Sequence, residues 1–146
     1  MKRIFLFYLF LIAFTISCSK KESGAENKQD CGKVACNEML QSIGVSIVDQ
    51  NDEPVALDRL KVTRIMDRKD ITREYNDHEW NIFRQLGRYP LVGDNDEKYI
   101  PAFKNTSLRF QGYIGDHQVV LANYIVTFGC CHIELVSGKL NLTVTR

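Results

Sequence analysis

Neither sign of charge dominates this chain, in which 19 Lys and Arg stand against 18 Asp and Glu. That balance lacks the electrostatic footprint of nucleic-acid binding, so no nucleic-acid partner is expected, and no basic run suggests an anionic membrane surface. Cys-x-x-Cys and His-x-x-x-His spacings are missing, and with them the common signatures of zinc sites. Without a Gly-x-Ser-x-Gly there is no nucleophile elbow of the serine-hydrolase kind. The acidic run Gly93-Asp94-Asn95-Asp96-Glu97 has oxygen ligands that suit calcium, but not the EF-hand spacing or its terminal Glu, and it reads as a solvated loop. Asp77, His78, Glu79 and Asp96 fall in turn-like segments rather than at a defined carboxylate separation, so no catalytic residue is assigned. No repeat of solenoid or propeller length occurs, no cofactor is called for, and no apolar run reaches the ~20 residues of a permanent membrane helix.

The chain does carry an export signal. Lys2 and Arg3 precede an almost unbroken apolar stretch from Ile4 to Ile16, and Ser17 then stands directly before Cys18. A cationic start, a short apolar core and a small residue at the end suit a secretory signal. The last residues resemble a bacterial lipobox, which implies cleavage after residue 17 and a lipid on Cys18. An ordinary cleaved signal with an incidental cysteine is the alternative. Residues 18–30 contain no large apolar side chain after Cys18, so they cannot form a core and read as a flexible tether reaching about 20 Å. Ser19 is not the Asp that favours inner-membrane retention in the best-known sorting system. The expectation is therefore an outer-membrane lipoprotein facing either the periplasm or the exterior, with the membrane as its partner through Cys18.

Four further cysteines, Cys31, Cys36, Cys130 and Cys131, make an even set in an oxidising compartment, and disulfides are the default reading with three connectivities open. A bond between the neighbours Cys130 and Cys131 is strained, which favours one or both reaching back to Cys31 or Cys36. The competing chemistry is a metal or redox centre at Cys130, Cys131 and His132, since thiolate and imidazole are good ligands for zinc or copper. On a strand, neighbouring side chains point to opposite faces, which disfavours both cysteines holding one ion.

Residues 31–146 read as one all-β domain. Met39 to Asp49 alternates, with Met39, Ile43, Val45 and Ile47 on one side, and Gln50 to Pro54 closes it with turn formers. Leu57 to Met66 reads as a second strand with Leu60, Val62 and Met66 inward. Asn76 followed by Glu79 fits a helix start, with Trp80, Phe83 and Leu86 at helical spacing and Gly87 as a stop, giving a short helix near 77–86. A strand through Trp80, Ile82 and Leu86 competes. Strands follow at Leu108 to Ile114, with a hairpin turn at Gly115-Asp116, at Val119 to Phe128, at Cys131 to Leu135, and at Leu140 to Val144. About seven short strands in this length argue for an antiparallel transthyretin-like or immunoglobulin-like β-sandwich.

The stretch Val45-Ser46-Ile47-Val48-Asp49-Gln50-Asn51-Asp52-Glu53-Pro54-Val55-Ala56-Leu57-Asp58 resembles the opening of carboxypeptidase-regulatory-like domains, which are transthyretin-like sandwiches. Cys130-Cys131-His132-Ile133-Glu134-Leu135-Val136-Ser137-Gly138, taken with the lipobox and with Cys31 and Cys36, resembles small Bacteroidetes-type lipoproteins that carry such a domain. The resemblance implies an exported, lipid-anchored sandwich and carries over no catalytic residue. The function expected is a non-catalytic binding or assembly module for a protein or glycan, acting through loops or an exposed edge strand, with the metal or redox reading as the alternative. Among the aromatics, Phe103 and Phe110 are expected in the core, while Trp80 and Tyr89, in the irregular middle, are the candidate ligand-binding rings.

Overall fold

The computed structural model describes residues 31–145; the expected signal at 1–17, Cys18 and the tether lie outside the described residues. The fold is mostly β, with strands β1 (Ser42–Val48), β2 (Arg59–Arg64), β3 (Lys69–Asp70), β4 (Arg88–Gly93), β5 (Thr106–Ile114), β6 (His117–Phe128), β7 (Ile133–Ser137) and β8 (Asn141–Thr143). They form a three-stranded sheet in the order β4-β1-β8 and a five-stranded sheet in the order β3-β2-β5-β6-β7. Val45, Ile47, Tyr89, Leu91 and Val92 from the first sheet share one buried cluster with Val62, Leu108, Phe110, Tyr124 and Val126 from the second. The arrangement is therefore sandwich-like, as period-two alternation in β1, β5 and β6 predicts.

One pairing departs from the antiparallel expectation. After β7 the chain turns at Gly138, leaves the larger sheet and returns beside β1, which it joins in parallel, with Ile47 opposite Leu142. Gly138 permits this with φ 132°, and a Cβ there would overlap the Tyr124 ring. Boundaries also shift. Met39 is 72% exposed and precedes β1, while Met66 is 83% exposed in the turn after β2. Cys131 and His132 lie in a bend, and the strand begins only at Ile133.

The helix α1 (Asp77–Leu86) forms as its end signals predict. Asn76 accepts from the Glu79 backbone N–H while the Glu79 carboxylate accepts from the Asn76 backbone N–H, both at 3.0 Å. Gly87 then takes φ 59° and ends the helix. Its half-buried Trp80 and Phe83 lie against the core.

Immediately after α1 comes β4, which, like the two-residue β3, departs from the strands expected on the sequence. Tyr89, Leu91 and Val92 in β4 are buried, and Pro90 sits among them because β4 is an edge strand whose pairing with β1 is irregular next to Gly44. There a missing N–H costs no ladder hydrogen bond.

Candidate functional site

Four places in the fold bring together chemistry-bearing residues. The first is the cysteine cluster. Cys31 is bonded to Cys130 and Cys36 to Cys131, so the two adjacent cysteines each hold a different point of the N-terminal segment. Cys130 and Cys131, which the metal reading takes as thiolate ligands, are each joined in a disulfide. Among the described residues, no group of three or more His, Cys, Asp or Glu is placed to hold a metal ion. The staple meets a local need, because the segment it holds leaves Val34, Met39 and Leu40 more than half exposed and buries little of its own.

Beside the disulfides lies Asp94, which the sequence reading left in a solvated loop. Its side chain is only 8% exposed. Oδ2 accepts from the Gln41 backbone N–H at 2.7 Å and faces His132 Nδ1 at 2.8 Å, while Oδ1 accepts from the Ile133 N–H at 2.8 Å. One carboxylate thus joins the approach to β1, the 3-10 turn Asp94–Tyr99 and the start of β7. Burial pushes the Asp94 pKa up, but the two backbone donors and then His132 outweigh it and hold the carboxyl below its ordinary value. Asp96, two residues on, is 5% exposed and accepts from the Gly93 N–H at 2.9 Å, closing the same turn. The acidic run is built into the structure because a tight turn needs acceptors for its leading N–H groups. An Asp–His pair has the form of a general-base dyad. Here, however, His132 Nε2, the atom that would meet a substrate, is hidden from solvent and has no hydrogen-bond partner.

The second place is the aromatic middle, where the two candidate rings separate. Tyr89 is fully buried. Its hydroxyl accepts from the Leu57 N–H and donates to the Val55 carbonyl, each at 2.7 Å, so it braces the connection between the sheets. Tyr89, a candidate ligand-binding ring on the sequence, is carried inward by β4 and offers no exposed face. Trp80 is half-buried, edge-on to Phe83 and Tyr89 and nearly parallel to Tyr75 at 6.5 Å. It borders a shallow cleft of about 260 Å³ together with Arg59, Arg73, Tyr75 and Asp77. Phe110 is fully buried as expected, whereas Phe103 is only half-buried and adopts φ 57°.

The third place is a polar cleft of about 470 Å³ on the outer face of the five-stranded sheet, lined by Lys61, Thr63, Ile65, Arg68, Arg109 and Gln111. No local sequence pattern announces it, since cross-strand register alone brings β2 and β5 together there.

The fourth place is the edge of β6. This strand pairs with β5 from His117 to Val126, but β7 covers only Ile125–Phe128 before Gly138 turns the chain away. Among the described residues, no strand pairs with the second side of residues 117–124. Leu121 in the middle of that stretch is 59% exposed. The other margins are shorter or irregular: β3 has 2 residues and leaves the start of β2 uncovered, β8 has 3, β7 has 5, and β4 carries Pro90 and an irregular register. Shortness, proline and irregular register are usual means by which sheets discourage edge pairing; β6 has a register shift of its own at Val119 but carries no proline or lysine along residues 117–124.

Comparisons with protein-family models, curated proteins and solved structures find no match to this chain.

Proposed function

We propose that this protein is an exported, non-catalytic binding module, tethered to the outer membrane through a lipid on Cys18, that takes an extended segment of a protein partner along β6. The observation that carries this reading is the open main chain of residues 117–124, with the exposed Leu121 in its middle, which is longer than any other uncovered strand edge of the five-stranded sheet. An open strand edge offers a ladder of N–H and C=O groups, so affinity comes from main-chain pairing and selectivity from alternate side chains. A partner strand of about eight residues fills it at roughly 3.4 Å per residue. A flexible tether at residues 18–30, expected from their composition, would give the domain lateral reach, and the sequence resemblance of residues 45–58 to carboxypeptidase-regulatory-like domains supports a scaffold of this kind.

Selection from a displayed library of random decapeptides against the oxidised mature chain tests the reading. Expected are binders with alternating apolar residues, which shift the backbone resonances of residues 117–124 and lose affinity when Leu121→Lys and Asn123→Pro are introduced together. Binders that map to the Trp80 cleft instead, or whose affinity is untouched by the double substitution, contradict it.

A further inference from the structure

A second site lies one strand away from that edge. We propose that the cleft between Lys61, Thr63, Arg68 and Arg109 on the outer face of the five-stranded sheet binds a phosphate-bearing group.

Register places the cations together. Lys61 stands opposite Gln111 and Thr63 opposite Arg109, and alternate residues of a strand share a face, so Lys61 and Arg109 are diagonal neighbours. Such positions lie about 7–8 Å apart, within reach of long side chains. Two like charges there repel unless an anion sits between them. The whole chain is nearly neutral, so this concentration of positive charge is local.

The third cation is presented by a built turn. Arg68 adopts φ 58°, a left-handed conformation that is costly for a residue with a side chain. Asp67 holds that turn by accepting from the Arg64 guanidinium and the Lys69 N–H. Among the described residues, the one carboxylate paired with the cluster is Asp70, 3.5 Å from Lys61 Nζ. Arg109 gives its Nε to Asn123 at 3.3 Å, which leaves its terminal N–H groups for another acceptor. Among the described residues, no ion pair engages Arg68 or Arg109.

The floor of the cleft supplies the second line of argument. Thr63 Oγ1 is shielded from solvent and has no hydrogen-bond partner, which is unusual for a polar atom in that position. A tetrahedral oxyanion suits this set, because guanidinium groups present paired donors to phosphate, and the covered Thr63 hydroxyl adds a further one once the side chains over it part. The volume of about 470 Å³ exceeds what a bare phosphate fills and leaves room for the group that bears it.

The test uses the chain from residue 18 with Cys18→Ser and both disulfides formed. Titration with inorganic phosphate at constant ionic strength, followed by backbone resonances, is expected to give saturable shifts at Lys61, Thr63, Arg68, Arg109 and Gln111. Arg68→Gln with Arg109→Gln weakens that binding by roughly tenfold or more. The control Lys33→Gln with Lys139→Gln removes the same charge elsewhere and leaves it intact. Sedimentation with phosphatidylglycerol–phosphatidylcholine vesicles then separates the sources. Pelleting that the Arg68/Arg109 pair abolishes assigns the phosphate to a lipid headgroup, and saturable phosphate binding without pelleting assigns it to a soluble ligand. Shifts that do not saturate, that chloride reproduces, or that both double variants reduce equally overturn the proposal.

Discussion

At the scale of single residues, Tyr89 and Asp94 hold connections that no strand ladder provides. The Tyr89 hydroxyl satisfies one buried donor and one buried acceptor, both on the link between β1 and β2. Tyr89→Phe keeps the ring and strands Leu57 N–H and Val55 C=O, so a loss of about 2–3 kcal/mol is expected in urea unfolding. A loss under half a kcal/mol would mean that this brace is unimportant. Asp94 makes a different prediction, because its strength depends on charge. Its folded-state pKa lies below the ordinary carboxylate value, so its contribution is fully present above the unfolded pKa and fades as pH falls through the folded one. Unfolding midpoints measured downward from neutral pH should therefore decline below about pH 4, and Asp94→Asn should flatten that decline while lowering stability at pH 7. An unchanged slope in Asp94→Asn contradicts the assignment.

At the scale of elements, the local signals proved reliable where the interactions themselves are local. The helix at 77–86 was legible because its cap, its Glu79 return bond and its Gly87 stop lie within a turn of its ends. Asn76→Ala removes one half of that reciprocal cap and should cost about 1 kcal/mol, with the loss seen in thermal unfolding and in faster amide exchange across residues 77–80. The hairpin at Gly115-Asp116 was legible for the same reason. Strand β4 was not, since Pro90 after a helix stop reads as a loop until the position proves to be a sheet edge. The role of Asp94 escaped for a related reason: its donors are 53 and 39 residues away in sequence. Nor did alternation predict the open edge of β6, which exists because β7 is only 5 residues long and the chain then crosses to the other sheet.

At the scale of the whole molecule, the two disulfides tie the segment before β1 to the β6–β7 junction, with sequence separations of 99 and 95. In the chain-entropy description, the first closure of a loop this long is worth about 4–5 kcal/mol, while the second closes only a small ring and adds about 2 kcal/mol. Removing Cys36 and Cys131 together, as Ser, should therefore cost less than half of what removing all four costs. Comparing denaturant midpoints of the two variants checks this, and equal losses would contradict it. The count of cysteines made disulfides legible from the sequence, but the pairing needed the fold, because only the bend at Cys130–His132 aims the neighbours at separate partners. The tether proposed for residues 18–30 enters at Cys31, so the first bond would join the membrane attachment to the β6–β7 junction.

Amide hydrogen exchange along β6, with and without a selected peptide, tests the central claim most directly. The account predicts that the amides of residues 117–124 not bonded to β5 exchange quickly in the free protein and become protected when the peptide binds. Rapid exchange that persists in the complex, with protection arising elsewhere, would contradict it.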